Sequence, residues 1–304
     1  MADGSGKPES IRRQADAAAA DAAAEARAEV LDAAGVEVPV KRHPRASKAV
    51  KGGLEWHEFQ VNVWITDLNS IEFGIYRHSR NKAKSRQFTS DMDIYAEVTE
   101  NGERTGLIGY REDLWKKQAG LERRLVMKLF NESLNWRASM DLMIGRSLQH
   151  TIGARGEPVT TYAVNIGSHE YVVMLERSAN KWPLLPENFS FFIMDNGEPR
   201  FYRLRRTLLN LGGDYILLDE RDREVGHVDG RVVTIGGYWD CRIRADHASS
   251  QLVMVLQMFC GMLVFNRGAR RHVKRIYRDV LNGAHVPKIQ RQESDLYMNP
   301  RRVR

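Results

Sequence analysis

Two cysteines, Cys241 and Cys260, are all that this chain of 304 residues contains. They form no CxxC and share no Cys/His ligand spacing, which argues against a disulfide framework and against a structural zinc site. The chain also lacks GxGxxG, a P-loop, HExxH and GxSxG, and none of its nine histidines has a second at helical metal-ligand spacing. No catalytic, cofactor-binding or metal-binding residue is assigned on this basis, and the expectation is a protein that is not an enzyme. A charged n-region followed by an apolar h-region is missing too, so a cytoplasmic protein without a cleaved signal is expected.

Long apolar runs are equally scarce. The densest is Ser249–Phe265, SSQLVMVLQMFCGMLVF, of which Leu252–Phe265 supplies 14 positions that include Gln257 and Gly261. A bilayer span needs about 20. A shorter helix that is apolar on every face is a core helix. Its central residues are Leu252, Val255, Leu256, Phe259 and Leu263, with Cys260 as a small core hydrophobe.

Charge is unevenly spread. The whole chain sums to +7, but residues 267–304 carry eleven basic and three acidic side chains, leaving the preceding 266 residues at −1. An anionic partner should therefore meet the tail first. Within it, Val273, Ile276, Tyr277, Val280 and Leu281 recur at helical spacing. Arg270, Arg271, Lys274, Arg275 and Arg278 take other faces, and Gly283 is placed to close the helix.

The other end has little to bury. Glu9–Ala34 holds twelve alanines but only Ile11, Val30 and Leu31 as large apolar residues. An exposed helix is expected there, followed by a basic linker, so residues 1–53 read as a tail. From Leu54 the pattern changes to strands. Val61, Val63 and Ile65 alternate with polar neighbours, Ile71–Tyr76 follows, and the basic stretch His78–Arg86 reads as a solvated loop. Asn101-Gly102 between two alternating runs signals a hairpin. Asp91 and Asp93 would share a face at a strand start, the arrangement of a solvated edge. Leu114, Leu121, Leu125, Leu129 and Leu134 recur near the helical period, so a long amphipathic helix over 113–149 is expected as an insertion.

Strands resume at Val159–Ile166 and Glu170–Glu176 and continue in short runs from Phe189. Tyr202 and Leu204 oppose Phe201, Arg203 and Arg205, while Trp239, Cys241 and Ile243 share the face turned to the apolar helix. Asp219, Asp222 and Glu224 lack the ligand alternation and glycine of a calcium loop and read as a polar turn. Gly212, Gly213 and Gly230 are expected at positions of positive φ or close backbone approach. The fold class that results is mainly β, an antiparallel sheet curled around a buried C-terminal helix, with that sheet over 54–266 and the basic helix and tail over 267–304.

Three features of this region carry a resemblance: Leu211–Asp219 (LGGDYILLD), Val225–Gly230 (VGHVDG), and the strand Tyr238–Ile243 leading into the apolar helix. Over about Phe189–Phe265 the chain resembles the LURP-one-related and phospholipid scramblase families of the tubby C-terminal-like superfamily. The resemblance implies a twelve-stranded antiparallel barrel threaded by the hydrophobic helix, and lipid binding or scrambling as the activity. Where the scramblases' acidic calcium-binding stretch is expected, this chain has only Asp246 beside His247. The function expected is thus a non-enzymatic barrel, peripheral to an anionic membrane, using Arg270, Arg271, Lys274, Arg275 and Arg278. Alternatives are nucleic-acid binding through the same tail, or a structural role in which the tail helix packs on the barrel through Val273, Ile276 and Val280 and leaves its arginines as a solvated face, or a scaffold that meets a protein through its N-terminal helix or its tail. Stacking aromatics near the basic cluster amount to Tyr277 and Tyr297.

Overall fold

A computed structural model of the chain describes residues 55–63, 87–179, 186–195, 197–207, 213–231, 237–284 and 293. The expected N-terminal tail, Ile71–Tyr76 and the loop His78–Arg86 lie outside these residues.

The strands are β1 (Trp56–Val63), β2 (Met92–Glu100), β3 (Glu103–Arg111), β4 (Val126–Phe130), β5 (Trp136–Leu142) and β6 (Thr161–Ile166). They continue as β7 (Val173–Arg177), β8 (Asn188–Asp195), β9 (Glu198–Arg206), β10 (Tyr215–Leu218), β11 (Glu224–Gly230) and β12 (Gly237–Arg244). Each pairs antiparallel with the next, and β1 pairs with both β2 and β12, so the meander closes into a barrel. Helix α1 (Ile144–Gly153) lies between β5 and β6, and α2 (Ser250–Leu281) follows β12.

One-sided alternation sets which way each strand faces. Phe59, Val61 and Val63 of β1 and Trp239, Cys241 and Ile243 of β12 are buried, while their sequence neighbours are partly exposed. In β9 the two sets fall on opposite faces, with Tyr202 and Leu204 pointing inward and Phe201 outward. Turn chemistry fixes the register of β2 against β3, because Asn101 and Gly102 have φ of 53° and 82°, the two positive values that a tight hairpin turn demands. Gly213 has φ 79°. Gly212 lies outside the described residues, and Gly230 ends β11 as strand without a positive φ, its N–H donating to Asp214 Oδ1 at 2.8 Å.

Helix α2 starts at Ser249, whose hydroxyl accepts the Leu252 N–H, and its residues Gln251–Met262 are all buried. Their neighbours come from opposite walls. Phe259 packs edge-on against Phe189 of β8 and Tyr215 of β10. Cys260 touches Cys241 of β12, and Gly261 faces Tyr95 of β2 and Ile108 of β3. The helix is therefore enclosed by the barrel, and each large apolar side chain so buried contributes about 2 kcal/mol. Leu252, Val255, Leu256 and Phe259 are central as expected, whereas Leu263 is only partly buried, at the point where the helix leaves the core. By length and composition α2 could cross a membrane, but 72% of its apolar window is buried within the fold.

The long helix expected over 113–149 is not formed. Within that span the chain makes a π turn at Asp113–Lys117, a 3-10 turn at Gly120–Glu122, strands β4 and β5, and the first part of α1. The reason is that β4 is buried on both faces. Met127 and Leu129 face the main core, while Phe130 joins Ile94, Leu107 and Leu134 in a second cluster on the outside, covered by Phe88 and Trp136. A strand buried on both sides shows no period of two, and its Leu129 falls in line with Leu114, Leu121, Leu125 and Leu134 outside it to mimic a helical stripe. Leu134 sits at φ 58°, which no helix interior accommodates. With no helix over β7, the outward Val172 and Met174 pack beside Met143 and Ala163 instead.

Candidate anion-binding face

Helix α2 runs without a break from the apolar core into the basic segment and ends before Gly283, whose φ is 69°. Outside the barrel it is amphipathic. Ala269, His272, Val273 and Ile276 are buried, and nearby Tyr277 lies so close to Gly156 that a Cβ there would meet its ring at 2.7 Å. On the opposite side Arg267, Arg271, Arg275 and Arg278 are exposed, at spacings of four, four and three residues. At 1.5 Å per residue they form a ridge about 16 Å long. Among the described residues none of these four has an ion-pair partner.

Two of the expected contact residues are placed otherwise. Lys274 is half-buried. Arg270 turns inward: its Nη1 lies 3.8 Å from Glu187 Oε1, its Nε is buried without a partner, and burial together with the nearby Arg177 pushes its pKa down. Arg267 takes its place on the surface.

Glu187, which draws Arg270 in, is itself buried just ahead of β8. It accepts from Arg177 Nε, from the Tyr215 hydroxyl at 2.9 Å and from Asn266 Nδ2 at 3.1 Å. Burial alone would raise its pKa, but the Arg177 contact and these other donors outweigh that and hold the carboxyl ionised below its ordinary range. Every donor comes from the chain itself, so the cluster is a structural lock on the exit of α2 from the barrel.

A further cation reaches the ridge from another element. Arg123, just after the 3-10 turn, stacks its guanidinium 4.1 Å from the Trp115 ring centroid. Burial and then the positive charge of Arg275 lower its pKa, so two guanidinium groups repel each other here. Beneath them His272 Nε2 lies 3.0 Å from the Arg123 carbonyl oxygen, which can only accept, so Nε2 carries a proton. Burial first, then Arg123, push the His272 pKa down to about 4, and the ring is neutral at pH 7. The face thus presents four exposed arginines with the half-buried Lys274 among them, a donor set suited to phosphate or carboxylate oxygens.

The remaining acidic sites are internally satisfied. Asp219 accepts from the backbone N–H groups of Arg221 and Arg223, each at 2.9 Å, and from Arg223 Nε, and Asp222 pairs with Arg203, making a hairpin turn. Asp246 pairs with Arg244, and His247 Nδ1 lies 3.0 Å from the Tyr202 hydroxyl. Asp91 pairs with Arg111.

No family model, no curated protein and no solved structure matches this chain. Its class is given by the fold: a closed twelve-stranded antiparallel barrel with one C-terminal helix, an architecture compatible with the tubby-like barrels.

Proposed function

We propose that this chain is a tubby-like, LURP-one- or scramblase-related barrel that acts as a non-enzymatic module at the cytoplasmic face of an anionic membrane. It binds phospholipid headgroups through Arg267, Arg271, Arg275 and Arg278, with Arg123 beside them. The observation that carries this reading is the division of α2 outside the barrel: Ala269, Val273 and Ile276 on its apolar side are packed on the protein, Leu281 at its end is exposed, and its arginine side is not packed. A basic amphipathic helix inserts its apolar face between lipids. Here that face is occupied except at the terminal Leu281, so contact is mainly electrostatic and at the headgroup level. Each arginine near an anionic surface contributes about 1 kcal/mol, and the total falls steeply as salt shortens the Debye length.

The test is sedimentation with phosphatidylserine-containing and pure phosphatidylcholine vesicles, using wild type and the R267Q/R271Q/R275Q/R278Q variant. Salt-sensitive binding to the anionic vesicles alone, lost in the folded variant, is the expected result. Binding unchanged in the variant would remove the ridge from the mechanism. An oligonucleotide arm at matched salt separates the nucleic-acid alternative, which Tyr277 does not assist because it is packed against Gly156. Tyr297 lies outside the described residues.

A further inference from the structure

The two cysteines that look unrelated in the sequence meet in the structure. Cys241 Sγ, on the inward face of β12, lies 3.4 Å from Cys260 Sγ in the enclosed part of α2. Both are free and both are buried. On the barrel wall Cys241 stands opposite Phe59 of β1 on one side and Val228 of β11 on the other, so its thiol is offered only to the helix. No third cysteine competes for either partner.

We propose that Cys241 and Cys260 are a covalent modification site: an oxidisable dithiol that a small-molecule or protein disulfide converts to an intramolecular disulfide, fastening the enclosed helix to the barrel wall. Closing the sulfurs from 3.4 Å to the bonded distance of about 2.05 Å is a small movement. The chemistry balances as thiol–disulfide exchange. One cysteine, as thiolate, attacks a sulfur of the oxidant and expels the first oxidant thiolate, giving a mixed disulfide. The second cysteine attacks the protein sulfur of that bond and expels the other. Two protein thiols lose two protons and two electrons, and the oxidant's disulfide becomes two thiols.

Timing follows from burial. Enclosure in the barrel disfavours the Cys241 thiolate, and the oxidant cannot reach either sulfur in the closed protein. Exchange therefore takes place while the chain folds, or when α2 leaves the barrel. Once the barrel is closed the pair keeps the redox state in which it folded.

Full-length protein, reduced and unfolded, is refolded with oxidised and reduced glutathione, alkylated with iodoacetamide in denaturant, and weighed intact. The expected product is soluble, lighter by two hydrogens, unalkylated, and yields a cross-linked peptide joining residues 241 and 260. Its thermal midpoint lies about 5–10 °C above that of reduced protein, the gain expected for a short closed loop in a domain of this size. Folded, reduced protein in the same buffer should keep both thiols over the time in which refolding captures the bond. Three results would each overturn the proposal: two alkylatable thiols or two bound glutathiones in the refolded native protein, a cross-linked form no more stable than the reduced one, or folded protein that oxidises as fast as the refolding chain. C241A and C260A, refolded in parallel, should trap only single mixed disulfides.

Discussion

The carboxylate of Glu293 accepts the backbone N–H of Arg146 at 2.7 Å and, through its other oxygen, that of Gly145 at 2.9 Å. The N-cap of α1, Met143, has no side-chain bond to offer, so the helix is capped by a residue from far along the chain. A Cβ on Gly145 would stand 3.0 Å from Glu293 Oε1, and glycine there lets the carboxylate approach.

Replacing Glu293 by alanine should lower stability by about 1 kcal/mol, the worth of a charged cap at a helix N-terminus. Glu293→Gln, which keeps one acceptor and loses the charge, should cost less. Gly145→Ala should act through the same contact, so that the double variant is less damaging than the two single losses added. Urea unfolding of wild type, Glu293→Ala, Gly145→Ala and their double variant measures this, and strict additivity would show that residues 145 and 293 do not meet.

Glu187→Ala should be far more damaging, by about 3–5 kcal/mol, because Arg177 is left buried without its carboxylate. Replacing both residues with apolar ones of similar volume, Arg177→Met with Glu187→Leu, should recover part of the loss. Guanidinium unfolding midpoints report it. An alanine variant as stable as wild type would mean that the cluster is open to water.

Stability should fall between pH 6.5 and about 4. The folded pKa of His272 is depressed from 6.5 to about 4, so in that window the unfolded chain binds the proton that the folded chain refuses. Its contribution is complete above 6.5 and lost as the pH drops, amounting to about 3 kcal/mol. His272→Gln, whose amide can donate to the Arg123 carbonyl without titrating, should make this part of a thermal-midpoint profile shallower, leaving the share of His247, whose pKa burial also lowers. Glu187 and Asp91, whose carboxyls are held below their usual range, add their losses only at lower pH.

Met258 is fully buried in the enclosed part of α2. An aspartate there places an unpaired charge in the barrel interior, and Met258→Asp should leave no cooperatively folded protein at ordinary temperature, whereas Met258→Leu should fold. Circular dichroism melts distinguish the two, and a cooperative melt for the aspartate variant would contradict an enclosed helix.

How far the sequence discloses this fold depends on how many faces each element buries. β12 shows its alternation because one side meets α2 and the other meets water, and Asn101-Gly102 announces its own turn. β4 conceals itself because a second apolar cluster covers its outer face, so no alternation interrupts the near-helical spacing of Leu125, Leu129 and Leu134. The enclosed part of α2 is legible from density of apolar side chains alone. Its basic part is legible as a helix but not as a site, since helical spacing puts Arg270 among its neighbours and only the approach of Glu187, from the start of a distant strand, turns it inward. Glu293 gives no signal, being one polar residue in a polar tail.

Because β1 pairs with β12 as well as β2, the first strand of the barrel waits for the last before the ring can shut. Phe59 cannot find Cys241 until almost the whole chain has been made, and α2, which fills the ring, comes later still. Local hairpins form early, but the seam between β1 and β12 is a contact of very long range, the kind that makes folding slow. The helix has to be taken in before that seam shuts, so ring closure and core filling are one late event. Throughout synthesis the growing sheet has two open strand edges and an apolar inner surface, and this is the interval in which the protein is exposed to aggregation.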